Sequence, residues 1–514
     1  MKRLLALCAG VAALWAGACS GGGTVVPPPP PVNQFSNSDL QGQYAFSMTG
    51  TDASTGTLVP FVRVGSFIAD GKGGISGGNE DINIPGVLNN ELSFLPGGTY
   101  TVNGNGRGTM SLIDTTGTLT FSITLTSPTA GYIVDMPTDF SSAGNGSFVK
   151  QTMTAFQLSG FSGNYAFDLS GVDPTAAPES VVGQLISNGS GTLSGSVDDN
   201  DAGVINGGVA GAAIISGSYA APSLSPNDLP NFGRGVFAIG GITGVFYIVG
   251  PNQVKLMETT SGGTLAGDAF SQSNIPTTAA GISGGFVYVM GGSGSSASPL
   301  TRGGRFSASG GALSSILVDN NNAGQAISLS ASSGTYTIDP SGNGRGTITY
   351  NVSGQKNTFS YVFYLISPTQ AYVQDQSIGI VADGSMLAQG SGTISNSSLG
   401  GSYAINWSGL TSTGSGLGEE DLVGATTLTT GVLAGTIDLN EFASGKQGTG
   451  VPLTGTLALT GDGTGHNTLT VNLASNPANN GITAFAYVAA NNTVLIMSTQ
   501  TVRVVAGVLT PQAP

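Results

Sequence analysis

The sequence predicts an all-β protein made of four tandem antiparallel domains, and three observations carry that expectation. Glycine fills 83 of 514 positions while charged residues make up 8%, against about 25% in ordinary globular domains. Apolar and polar residues alternate with period two over long stretches, the pattern of a strand with one wet face. Landmark residues recur about every 118 positions. Coiled coils and helical solenoids are excluded, because Gly, Ser, Thr and Asn stand where Ala, Leu, Glu and Lys would have to recur.

The chain opens with Lys2 and Arg3, an apolar run from Leu4 to Ala18, and Cys19. That run is shorter than the roughly 20 residues needed to span a hydrocarbon core, so residues 1–18 are expected to be an export signal. The segment Ala16-Gly17-Ala18-Cys19 resembles the lipobox of bacterial lipoproteins, departing from it in having Ala16 where Leu is commonest. The resemblance implies cleavage before Cys19 and acylation of its thiol. With Cys8 removed, Cys19 is the one cysteine left, so no disulfide partner exists. Residues 19–37, with Ser20-Gly21-Gly22-Gly23 and Pro27 to Pro31, read as a Gly/Pro-rich tether.

Repeats follow. Leu40-x-Gly42-x-Tyr44 recurs at Phe161, Gly163 and Tyr165, at Ile282, Gly284 and Phe286, and at Leu399, Gly401 and Tyr403, with intervals of 121, 121 and 117 residues. A second landmark, Gly98-Thr99-Tyr100, recurs at Gly217, Gly334 and Gly455. A third, Gly106-Arg107-Gly108, recurs around Arg234 and Arg345, with Gly463-Thr464-Gly465 taken as its fourth copy. The period exceeds that of one-motif solenoids, so each unit is expected to own a core. The expected boundaries are 38–157, 158–276, 277–395 and 396–514.

The run Leu119, Phe121, Ile123, Leu125 ends at Ser127-Pro128, and Phe359, Tyr361, Phe363, Leu365 ends at Ser367-Pro368. Such runs suggest about eight strands per unit joined by short turns. They would close as a small barrel, with a β-sandwich as the alternative. The Gly-x-Tyr strands resemble the Gly-x-Trp openings of lipocalin-like and avidin-like barrels. The leader, tether and Leu-x-Gly-x-Tyr repeats together are similar to multi-repeat surface lipoproteins of soil bacteria, of acidobacterial type. That resemblance implies a place in the cell envelope, the outer membrane favoured by Ser20 after Cys19, and brings no activity with it.

The chemistry a site could use is sparse. Acidic residues number 28 against 14 basic ones, and the basic ones are scattered, which excludes nucleic acid as a partner. His466 is the only histidine, so four equivalent histidine-dependent centres cannot exist. Gly-x-Ser-x-Gly occurs at Gly74 to Gly78 and at Gly281 to Gly285, without the following helix a nucleophile elbow requires. No cofactor is expected.

Asp81-x-Asn83 recurs as Asp199-x-Asp201, Asp319-x-Asn321 and Asp438-x-Asn440. These residues read as turn formers, with weak calcium ligation at Asp81, Asp199, Asp319 and Asp438 as the other reading. Arg107, Arg234 and Arg345 are candidates to pair with the Asp of their own unit. Together with Tyr44, Tyr165, Phe286 and Tyr403 they are expected to be structural. The run Glu419-Glu420-Asp421 reads as a solvated loop. The function expected is a non-catalytic, lipid-anchored envelope protein that presents its repeats for adhesion, matrix or envelope contact. The alternative is a ligand-binding module with Tyr361, Phe363 and Trp407 lining barrel interiors. Its partners would be the membrane through the anchor, and a protein, a glycan or a small apolar ligand.

Overall fold

A computed structural model describes residues 34–514 apart from 55–56, 86, 207–211, 221–231, 353–357, 391–393, 396–397, 414–415, 461–464 and 474–480. Residues 1–33 lie outside it, so the leader, Cys19 and most of the tether do too. The described residues form strands and a few single 3₁₀ turns. No helix among them is long and apolar enough to cross a membrane.

The strands close into four eight-stranded antiparallel barrels, the closure expected, and not the alternative β-sandwich. In the first barrel these are β1 (Gln41–Asp52), β2 (Val59–Asp70), β3 (Gly74–Ile84), β4 (Val87–Phe94), β5 (Gly98–Val102), β6 (Arg107–Ile113), β7 (Thr118–Ser127), β8 (Ala130–Asp135) and β9 (Ser142–Lys150). Neighbours pair in sequence, and β1 closes on β9 with Phe46 opposite Phe148. Closure matters because an open edge would leave backbone groups unpaired. The start of β3 reaches β5 through Gly74 and Ile75, while its other end pairs with β4, a ninth strand outside the ring of eight. The second and third barrels carry the same extra strand, at Val204–Asn206 and Gln325–Ala331. In the fourth barrel the single long strand Lys446–Leu459 takes both roles.

Two repeated glycines have physical causes. Gly42, Gly163, Gly284 and Gly401 have φ of +111°, +117°, +102° and +139°, a region closed to most side chains. They let the chain turn from a buried plug residue, Leu40, Phe161, Ile282 or Leu399, into the first strand. Gly65, Gly183 and Gly304 stand opposite Phe46, Phe167 and Tyr288. A Cβ at Gly65 would lie 2.6 Å from the Phe46 ring, so glycine there makes room for an aromatic lying across the strand.

Of the repeated first-strand aromatics, Tyr44, Tyr165, Phe286 and Tyr403 are all buried. The hydroxyls of Tyr44 and Tyr165 donate to the carbonyls of Pro128 and Pro251 at 2.8 and 2.9 Å, and that of Tyr403 to Leu399 at 2.9 Å. Each barrel holds its own apolar cluster. Tyr361, Phe363 and Trp407, the candidate ligand-contacting aromatics, are each 1% exposed inside those clusters. Barrel interiors are thus filled by side chains instead of being open to a ligand.

Candidate functional site: four repeated seams between barrels

The polar residues singled out by their repetition meet between barrels, not within them. In each barrel the second strand packs on two or three of the last three strands of the next: β2 on Ile242–Gly250 and Gln253–Glu258, Pro178–Asn188 on Thr358–Ser367, Gln370–Asp375 and Val381–Ala388, and Ser298–Ser309 on Val494–Ser498 and Arg503–Pro511. The strand Gly416–Thr429 of the fourth barrel packs in the same way on β7, β8 and β9 of the first. The four barrels therefore form a closed ring. One face meets a different face at every seam, and because the rotation closes the series ends after four copies.

The Asp-x-Asn motif is the polar centre of each seam. Asp81 accepts hydrogen bonds from Arg234 Nε and Nη2, both at 2.8 Å, and from the Tyr247 hydroxyl at 2.6 Å. Asp198 accepts from Arg345 Nε and Nη2, both at 2.7 Å, and from the Tyr364 hydroxyl at 2.8 Å. Asp319 faces His466 Nε2 at 2.9 Å and accepts from the Tyr487 hydroxyl. Asp438 pairs with Arg107 and accepts from the Gly450 amide at 2.7 Å. Apart from the Gly450 amide, which is in the fourth barrel with Asp438, each donor belongs to the next barrel, and a bidentate guanidinium is the geometry that best compensates a carboxylate taken out of water.

The paired Asn binds the neck of a loop in the next barrel. Asn83 Nδ2 donates to the carbonyls of Gly263 and Glu258 at 2.6 and 3.1 Å, and Asn200 Nδ2 to those of Ile380 and Asp375 at 2.7 and 3.0 Å. Asn321 holds Ser498 and Arg503, both at 2.9 Å, and Asn440 holds Asp135 and Ser142 at 2.8 and 2.9 Å. A glutamine after the last strand of each barrel completes the seam. Gln151, Gln272, Gln389 and Gln512 donate to the carbonyls of Ile248, Leu365, Val488 and Leu125 at 2.7, 2.7, 3.1 and 2.8 Å. Gln512 does this at the end of the chain, reaching the first barrel, where the Ala513 amide also donates to Thr126 at 2.9 Å.

These positions correct several sequence expectations. The Asp residues lie inside strands, so they are not turn formers. The second copy of the motif is Asp198-x-Asn200, one residue before the expected one; Asp199 is partnered by Asn206 at 3.1 Å instead. Arg107, Arg234 and Arg345 pair with the Asp of the preceding barrel, not of their own. Gly463 and Thr464 lie outside the described residues, and the position equivalent to Arg107 is held by His466, which stands opposite Tyr487 as Arg234 stands opposite Tyr247. Of the carboxylates proposed for calcium, Asp81 and Asp438 are engaged by arginines, Asp319 by His466 and the Tyr487 hydroxyl, and Asp199 by the Asn206 amide. Among the described residues no group of three or more His, Cys, Asp or Glu could hold a metal. Glu419-Glu420-Asp421 is strand, not loop: Glu420 is buried against Arg503 Nε at 2.7 Å, and Glu419 accepts from Thr51 of the first barrel at 2.6 Å.

Electrostatics follow from burial. Burial opposes the Arg234 charge, but the hydrogen bonds and charge of Asp81 outweigh it and raise its pKa; Arg345 is raised first by its bonds to Asp198. Burial and then Asp81 push Tyr247 well up, so it stays a donor. Asp135 and Asp421, at the fourth seam, are both raised by burial. Sequence reasoning missed Tyr247, Tyr364, Tyr487 and the four glutamines. Their signal was present in the repeated Val245-Phe246-Tyr247 and Val362-Phe363-Tyr364 and in Gln spacings of 121, 117 and 123.

No family model matches the chain, and no curated protein matches it. Solved structures that align with it include transferrin binding protein B from Haemophilus parasuis, at 9% identity and a TM-score of 0.21, covering 74% of this chain and 82% of that one. Transferrin binding protein B from serogroup B Neisseria meningitidis aligns at 9% identity and a TM-score of 0.20, covering 74% and 83%. Likeness at that level transfers neither fold nor function.

Proposed function

We propose that this chain is an exported, non-catalytic scaffold of the cell envelope, held to the outer membrane by acyl chains on Cys19, with residues 38–157, 158–276, 277–395 and 396–514 as its four barrel units. The ring presents its outer surface for contact with an envelope, matrix or partner molecule. The observation that carries this reading is where the repeated polar groups are used. The Asp-x-Asn pairs, the Arg or His that meets each Asp, and the closing glutamines recur in register and are used in joining barrels, while the interiors are packed mainly with apolar and aromatic side chains. A chain organised in this way invests in a rigid platform, since charge pairs out of water contribute more to a defined arrangement than to net stability.

The test is radiolabelled-palmitate incorporation with fractionation. The wild-type chain should carry label and sediment with membrane at high salt, because acyl chains contribute about 0.8 kcal/mol per buried CH₂. Cys19→Ser should carry none and move to the soluble fraction. A Cys19→Ser chain that still sediments would end the lipoprotein reading.

A further inference from the structure

Inside the mouth of the fourth barrel one buried carboxylate stands without a partner. Leu422, Leu439 and Val505 belong to the core of that barrel, and period two puts Glu420, Glu441 and Arg503, each two residues away along its strand, on the same inner face. Glu420 and Glu441 stand opposite each other on neighbouring strands, and each is 1% exposed. The Arg503 Nε donates to both oxygens of Glu420, at 2.7 and 2.9 Å, and its Nη1 donates to Gln500 at 2.8 Å. Glu441 differs. Among the described residues neither of its side-chain oxygens has a hydrogen-bond partner. Trp407, a core residue of the same barrel, lies beside Glu420.

Two carboxylates and one guanidinium leave one negative charge uncompensated, and a charge out of water is costly unless it is paired or hydrogen-bonded. The second barrel handles the same cross-strand pair in another way. Its Glu179 stands opposite Asp201 as Glu420 stands opposite Glu441. Arg234 and Lys255 are the only basic residues of 158–276, and both are used at the seam with the first barrel. A proton meets the charge there, since burial and then Asp199 push Glu179 up to about 8. The fourth barrel has an arginine instead, bound to one acid of the pair. The other acid is the one left over.

We infer that Glu441 binds one small monovalent cation, an alkali ion or ammonium, in the mouth of the fourth barrel. One positive charge brings Glu420, Glu441 and Arg503 together to neutrality, whereas a divalent ion would overshoot. No three His, Cys, Asp or Glu among the described residues gather to hold a multivalent ion in any case. Hard cations take oxygen ligands and ammonium donates to them, and Glu441 offers two oxygens. Such an ion needs about the room of a water molecule, so it fits a barrel interior that side chains otherwise fill. The 3₁₀ turn Phe442–Ser444 follows Glu441 directly and packs on Gly401–Thr413 and Gly416–Thr429, covering this end of the barrel. The inference goes beyond the scaffold reading and does not depend on it.

Trp407 reports on the site, because the chain has two tryptophans and Trp15→Phe leaves Trp407 as the only one. The full chain carrying that substitution is studied in detergent, so that acylation of Cys19 makes no difference. Sodium, potassium or ammonium chloride is exchanged for tetramethylammonium chloride, whose cation is too large for the site, at a total ionic strength of about 0.2 M. At least one small cation should change Trp407 emission saturably and raise Tm by about 3 °C. Glu441→Gln keeps the shape, removes the charge and should weaken that response by about tenfold or more. Asp201→Asn, in the second barrel, should leave it unchanged, and calcium should act no more strongly than the monovalent ions. The salt series on the chain with Glu441 intact decides the question even if Glu441→Gln fails to fold. Equal emission and Tm in all the salts, a response kept by Glu441→Gln or lost in Asp201→Asn, or a stronger response to calcium would each overturn the inference. Failure of palmitate labelling bears on the lipoprotein reading only.

Discussion

Three seams join barrels that are consecutive in the chain, and the fourth joins the last barrel to the first. The consecutive seams have apolar clusters: Val62 and Val64 with Val245 and Met257, Val182 with Val362 and Tyr364, and Val287 and Val289 with Leu495 and Met497. The closing seam is more polar. Thr124 stands where Tyr247 and Tyr364 stand elsewhere, and Asp135, Glu419 and Asp421 gather beside it, with Tyr132 bonded to Thr510 at 2.6 Å. Barrels tethered by a linker meet at high effective concentration. The closing seam gains from the same effect only after the other three have formed. A polar closing seam makes ring closure the step most responsive to conditions.

The largest expected effect is at a consecutive seam. Arg345→Met leaves Asp198 buried with only the Tyr364 hydroxyl, and should cost about 3–5 kcal/mol in urea unfolding. Asp198→Asn in the same chain should restore a large part. Arg107→Met should cost less, because Asp438 keeps the Gly450 amide. Equal losses at the two seams would show that they are held alike.

Removing residues 512–514 comes next. It deletes the two side-chain bonds of Gln512, its amide bond to Ser402 and the Ala513 amide bond, together about 2–4 kcal/mol. It should raise amide exchange in β7, β8 and β9 and in Gly416–Thr429. Gln389→Ala should cost less and open nothing, since the chain itself holds the third barrel to the fourth. Exchange that rises equally at both seams would show that closure is no weaker than succession.

A smaller effect is expected from pH. Burial raises Asp135 and Asp421 at the closing seam, Glu80 to about 7 and, with the charge of Asp199 added, Glu179 to about 8. Each binds its proton more tightly folded than unfolded, so stability is greatest below the unfolded carboxylate pKa and falls as pH rises towards the folded values. Tm should be several degrees higher at pH 5 than at pH 8, and exchange should slow at the closing seam and at the seam between the second and third barrels, where burial also raises Asp168 and Asp383. A higher Tm at pH 8 would contradict this. The smallest effect separates adjacent residues: Asp199→Asn should stay within about 0.5 kcal/mol, whereas Asp198→Asn should exceed it.

Alternation of apolar residues, the spacing of about 118 residues and the glycines before each first strand were enough to read an all-β fold of four units, because these are local: each strand needs one dry face and each plug needs a left-handed turn. Barrel and sandwich both remained open, since closure of the first strand on the last joins residues about 100 positions apart. The role of Asp81, Asp198, Asp319 and Asp438 was not legible in the same way. Their repetition was visible, but a single unit contains both an Asp and an Arg, so sequence alone favours pairing within the unit. Only the packing of one barrel's second strand on the next barrel's last strands brings Asp81 to Arg234 and Asp438 back to Arg107. His466 shows the same limit. A lone histidine has no repeat to mark it, and what gives it a partner is the strand pairing that sets it across from Tyr487, facing Asp319 of another barrel. Residue period and turn chemistry act over a few positions and are written in order along the chain. Ring closure joins groups more than 300 residues apart, as Arg107 and Asp438 are, and depends on a rotation between barrels that no local pattern encodes.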